Sequence, residues 1–100
     1  MTNEKLFYEN IEALKHIENI INILENIGFV CEPGIAKGEH DLSKEIYSTY
    51  DIVADTVMNL LNLDDVDCNS KEKIYDMIIS NTKSTNSEFL EEVWNNYGIK

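Results

Sequence analysis

The chain has no arginine; all eight of its basic residues are lysines. Two-pronged guanidinium recognition of phosphate or carboxylate is thereby excluded. Proline occurs once, at Pro33, and glycine four times, so residues that interrupt regular backbone are scarce. The two cysteines, Cys31 and Cys68, are too few and too far apart for a disulfide framework. They read as reduced, small hydrophobic cysteines of a cytosolic protein. No C-x-x-C or H-x-x-x-H spacing occurs, so Cys31, His40 and Cys68 do not suggest a metal centre. A glycine-rich phosphate loop is missing as well. No apolar run approaches the roughly 18–20 residues that cross a bilayer. The opening Met1-Thr2-Asn3-Glu4-Lys5 lacks the basic and then apolar pattern of a secretory leader, so none is expected. Strict apolar–polar alternation, the mark of a half-buried strand, is also absent.

Acid is what the chain has in excess. Nineteen Asp and Glu against eight lysines leave a net charge of −11 over 100 residues. Binding nucleic acid through its phosphates needs basic patches and is disfavoured. So is an anionic membrane surface. A basic protein partner is favoured. The 43% of hydrophobic residues is ordinary for a globular chain and is expected to fold as one domain over 1–100. Asparagine, isoleucine and lysine are abundant, as in AT-rich coding sequence, which points to a low-GC bacterium, a phage or an acquired gene.

The stretch His40–Asp67 organises the rest. At about 100° per residue, Ile46, Tyr50, Val53, Val57, Leu60 and Leu61 share one arc of a helix over Leu42–Leu63, with Leu42 at its edge and Asp41 as N-cap. A second stripe, Tyr47, Asp51, Asp55, Met58 and Asn62, lies beside it. An aromatic and a methionine among acids suit a face that steers and anchors a basic partner. The helix runs into the acidic loop Asp64-Asp65-Val66-Asp67.

Before it, Asn3–Ile27 reads as a long helix whose apolar side includes Leu6, Ala13, Leu14, Ile17, Ile20, Ile21, Leu24 and Ile27. Gly28 is expected to end it and Phe29 to pack on Leu24. Val30–Glu39 reads as a loop around Pro33-Gly34. After the acidic loop, Asn69 or Ser70 is expected to cap a third helix bearing Ile74, Tyr75, Met77 and Ile78. A polar break follows at Ser80–Ser87. Thr85 and Glu88 form a capping box for a fourth helix with Phe89, Leu90, Val93, Trp94 and Tyr97, ended by Gly98. The expected fold is all-α: two long helices followed by two short ones, as a small four-helix bundle or helical array.

Asp65, Asp67, Asn69 and Asp76 stand at positions 1, 3, 5 and 12 of an EF-hand-like loop, but Ser70 replaces the turn glycine and Asp76 the longer glutamate. Cys31, His40 and Asp41 can be written as a nucleophile, base and orienting group, without supporting context. His16 beside Glu12 reads as a surface pair. No catalytic residue, metal or cofactor is expected. The favoured reading is an acidic, cytoplasmic protein–protein inhibitor, similar in character to bacterial immunity proteins and antitoxins. Such a protein neutralises a basic nuclease toxin by occluding its nucleic-acid cleft. The contacting residues would be Tyr47, Asp51, Asp55, Asp64, Asp65 and Asp67. The alternatives are a phage-encoded inhibitor of a nucleic-acid-binding defence complex and a Ca²⁺-binding helix–loop–helix module. Trp94 and Tyr97, if exposed, would indicate a subunit of a larger assembly.

Overall fold

The computed structural model describes residues 2–28, 41–84 and 87–100, less the side chains of 41–43 and 83–84. They form four helices and no strand: α1 (Asn3–Asn26), α2 (Asp41–Asn59), α3 (Cys68–Ser84) and α4 (Ser87–Tyr97). The all-α expectation holds. Helix α1 packs on both α2 and α3, and α3 packs on α4.

Helix α1 opens on Thr2, whose extended backbone lets Oγ1 accept from the Lys5 amide at 3.2 Å, satisfying one of the free donors of the first turn. At its other end Gly28 takes φ 97°, and its amide donates to Glu25 O at 3.1 Å. That is one of the paired bonds of a glycine-terminated helix. Phe29, expected on Leu24, lies outside the described residues. The core stripe of α1 is Phe7, Ile11, Leu14 and Ile21. Ile20 and Ile27, expected inside, are 47% and 68% exposed. The core shared by the four helices engages α1 as far as Ile17; beyond it Ile21 is still buried, so only one line of the apolar periodicity in the last two turns is used.

Helix α2 buries Tyr50, Ala54 and Val57. Ile46, Val53 and Leu60 are half-buried, so the buried arc is rotated towards Ala54 from the one expected. The Asp41 side chain, expected as the cap, lies outside the described residues. The helix also stops at Asn59, short of Leu63. The reason is tertiary. Asn62 N donates to Tyr97 O, and Ile99 N donates to Leu60 O at 3.0 Å, in an antiparallel bridge between Leu61 and Gly98. Pairing with the carboxyl-terminal tail satisfies groups that a longer helix would have used internally. Leu61 and Leu63 are still buried, beyond the helix.

Helix α3 begins at Cys68, with Lys71 N donating to Asp67 O at 3.0 Å. Asp67, not Asn69 or Ser70, therefore stands at the cap position. The helix runs through the expected polar break to Ser84 and has 17 residues against 19 in α2, so the picture of two long and two short helices is corrected. The side chains explain it. Asn81 Nδ2 donates to Met77 O at 2.7 Å and Thr82 Oγ1 to Ile79 O at 2.7 Å. These bonds absorb polar groups that would otherwise compete with the helical backbone. Thr82 is 1% exposed. Asn10, Thr49 and Thr56 bond back to the carbonyl four residues earlier in the same way. The Thr85 half of the expected capping box lies outside the described residues.

One core joins all four helices. It runs from Phe7, Ile11 and Leu14 through Tyr50, Ala54 and Val57 and Ile74 and Ile78 to Leu90, Val93 and Trp94. Trp94 is 3% exposed, its ring centroid 5.3 Å from that of Phe7. The indole is therefore a core residue, and the exposed-Trp94 sign of a larger assembly is not met. Gly98 lies directly against it, donating to Trp94 O at 2.7 Å. A Cβ at Gly98 would run into the indole ring. Gly98→Ala is expected to cost about 1–3 kcal/mol, the usual penalty of overpacking, measurable by denaturant unfolding. A matching Gly28→Ala serves as the contrast: open space surrounds Gly28, so its cost comes from the left-handed backbone alone.

Candidate functional site

The acids expected to meet a partner are all exposed: Asp51, Asp55, Asp64, Asp65 and Asp67. Asp51 and Asp55 stand one turn apart on α2. Across from them, α3 contributes Tyr75 and Asp76. The Tyr75 phenol is held above its ordinary value by burial and then by the charges of Asp51, Asp55 and Asp76. The expected stripe on α2 is thus half of a face completed by α3. Met58 continues it into two adjoining shallow hollows. One holds Lys71, Glu72, Tyr75 and Asp76; the other holds Asn59, Leu63, Asp64, Lys71 and Ile99. Asp64 therefore lines a hollow that adjoins, through Met58 and Lys71, the one holding Tyr75 and Asp76. Asp65 and Asp67 line neither hollow. Tyr47, one turn before Asp51, is half-buried and already engaged by its surroundings. Asn62 lies beyond the end of α2, where its backbone amide pairs with the tail, and it lines the second hollow beside Met58 and Asp64.

Sequence periodicity missed Tyr75 and Asp76 as members of this face. The spacing along α3 puts Tyr75 on the apolar side and Asp76 at the last position of a calcium loop. The helical wheel of α3 places them together with Glu72, but only the tertiary arrangement, which brings Tyr75 near the charges of Asp51 and Asp55, shows which face they join.

The acidic loop itself is a short turn, closed by Val66 N to Leu63 O at 3.1 Å. Leu63 is buried and Val66 packs on the core, which leaves the aspartates pointing outward between two apolar fixings. This geometry corrects the calcium reading. Asn69 and Asp76 lie within one continuous helix, where seven residues advance about 10 Å, so the ligand positions are strung along an axis rather than wrapped round an ion. Among the described residues no group of three or more His, Cys, Asp or Glu side chains could hold a metal ion. Cys68 is exposed at the start of α3 rather than buried. Cys31, His40 and the Asp41 side chain lie outside the described residues. His16 is exposed on α1.

No family model, curated protein or solved structure matches this chain. No helix among the described residues is long and apolar enough to cross a membrane.

Under this face lies a polar irregularity in the core. Tyr50 is 8% exposed, and its hydroxyl is sealed from solvent without a hydrogen bond of standard geometry. Burial pushes the phenol far above its ordinary value; the neighbouring Glu18 carboxylate of α1 adds to this, then Tyr75 and Asp51. Tyr8 is raised in the same direction by burial and by Glu91 and Glu4. Unfolded tyrosine ionises near pH 10. Between that value and the higher folded ones, the unfolded chain has already lost the proton that the native state keeps. The stability from these phenols is complete below about pH 10 and is lost as pH rises through the folded values. An ultraviolet phenolate titration of the native protein is expected to lag behind one in denaturant and to end in unfolding. Tyr50→Phe removes the buried phenol that faces Glu18, so it is expected to weaken the alkaline transition.

Proposed function

We propose that this protein is an acidic protein–protein inhibitor. In this reading it is a bacterial, cytoplasmic immunity protein or antitoxin that acts by binding, not by catalysis. Its target is a basic nuclease, and the acidic face covers the nuclease's nucleic-acid-binding cleft. The observation that carries the reading is the joining of Asp51 and Asp55 on α2 with Asp76 on α3 around Tyr75, continued past Met58 towards Asp64. Exposed carboxylates in a row attract a cleft built to hold phosphates. A half-buried tyrosine and a methionine among them supply the apolar contact area that charge alone lacks. Asp65 and Asp67 extend the acid beyond the row, and Tyr47 borders it one turn before Asp51.

A phage-encoded inhibitor of a nucleic-acid-binding defence complex would use the same face in the same way. The two differ in what the neighbouring gene encodes. The test is capture with the adjacent gene product and from source cells, at low and high salt. Recovery of one basic nuclease, with association slowed by salt, supports the immunity reading. Recovery of a multi-subunit nucleic-acid-binding complex transfers the mechanism to the phage inhibitor. If no basic protein is retained at low salt, the proposal fails.

A further inference from the structure

We infer that a second surface, the groove between α3 and α4, seats one large apolar side chain of a protein segment that carries lysine or arginine beside it. The groove is remote in sequence from the α2 stripe. Its floor is formed by the buried Ile74 and Val93, and its walls by Met77, Phe89 and Tyr97, with Glu92 as the charged member of the lining. Its volume is about 180 Å³. A protein cavity of roughly 150 Å³ accepts a benzene molecule, so this groove has room for one leucine-, methionine- or phenylalanine-sized group. Met77 stands at its edge 48% exposed. It is an adaptable, polarisable side chain of the kind that moulds to an incoming apolar group.

Charge selects the occupant. Glu92 lines the groove, and Glu88 is exposed one turn earlier on α4. The nearest lysine along α3, Lys73, is exposed one turn before Met77. A second copy of the chain would bring this glutamate-bearing edge, and a net charge of −11, against its own likeness, which long-range repulsion opposes. A segment with an apolar residue flanked by cations matches both the floor and the edge. This inference rests on the functional reading only for the sign of the partner's charge.

Met58 and Met77 report the two surfaces separately, because Met58 lies in the acidic hollows and Met77 on the groove. The experiment uses the full chain with carbon-13-labelled methionine methyls and three synthetic peptides: an amphipathic Leu/Lys helix, the same helix with serine for leucine, and a Leu/Glu version. The Leu/Lys peptide is expected to shift the Met77 methyl and to bind at least about tenfold more tightly, ~1.4 kcal/mol, than the Leu/Glu peptide. Met77→Ala and Glu92→Lys, both at exposed positions, are each expected to weaken it, while the Ser/Lys peptide moves Met58 and leaves Met77 in place. The inference is overturned if the Met77 methyl stays unmoved, or if the Ser/Lys peptide moves it as far as Leu/Lys does. It is overturned too if sedimentation shows a dimer that Met77→Ala abolishes. A Met58 shift without a Met77 shift would end this inference and leave the acidic-face reading standing.

Discussion

Trp94→Ala is expected to lower the unfolding free energy by about 3–5 kcal/mol. For a domain whose whole stability is of order 5–15 kcal/mol, that is a large share, and the variant should unfold near ambient temperature or at low denaturant. The magnitude follows from position. Trp94 is 3% exposed, it meets Phe7 of α1, which is fully buried, and it backs onto Gly98 of the tail. The tail is in turn what ends α2, through the Leu61–Gly98 bridge. Deleting the indole therefore opens a cavity and loosens the contact that sets the end of the acidic helix. Gly98→Ala acts on the same contact from the other side. The two changes should be strongly non-additive in a double-mutant cycle, since residues in direct contact couple. Additive costs would mean that the tail and the indole are held independently.

The second large effect is on binding. Reversing Asp51, Asp55 and Asp76 to lysine is expected to slow association with a basic partner by about ten- to a hundredfold at low salt, the range electrostatic steering covers. The same change should leave stability unchanged or slightly raised. The reversal leaves a like-charge pair one turn apart on α2, but it reduces a net charge of −11 that already burdens the compact state. Lost binding with retained stability distinguishes a used surface from a merely tolerated one. Stopped-flow association at two salt concentrations, beside thermal unfolding of the same variant, measures both. An association rate unchanged by the triple reversal would remove this face from the mechanism.

Much of the fold could be read in advance because the helices carry their own periodicity and their own stops. Gly28 ended α1 and Gly98 followed α4 as expected. What periodicity could not carry was the packing between elements. The apolar spacing of Ile20 and Ile27 matches that of buried residues, yet both are exposed, because burial depends on what lies opposite. The early end of α2 depends on a tail nearly forty residues away. The continuation of α3 through Ser80–Ser84 depends on side chains bonding back to their own helix, which composition alone reads as a break. The candidate site divides in the same way. Asp51 and Asp55 were legible as a stripe on one helix. Tyr75 and Asp76 joined them only through the tertiary arrangement, and the α3–α4 groove exists only between elements.

The central claim is that this acidic face covers the nucleic-acid cleft of a basic nuclease. The most direct measurement titrates the nuclease's activity with the chain, and then repeats the titration with nucleic acid already bound. The account predicts activity falling in proportion to added protein and reaching zero at equimolar ratio, with bound nucleic acid delaying the inhibition and the Asp51, Asp55 and Asp76 reversals abolishing it. A ternary complex, in which nuclease holds nucleic acid and this chain together, would contradict it.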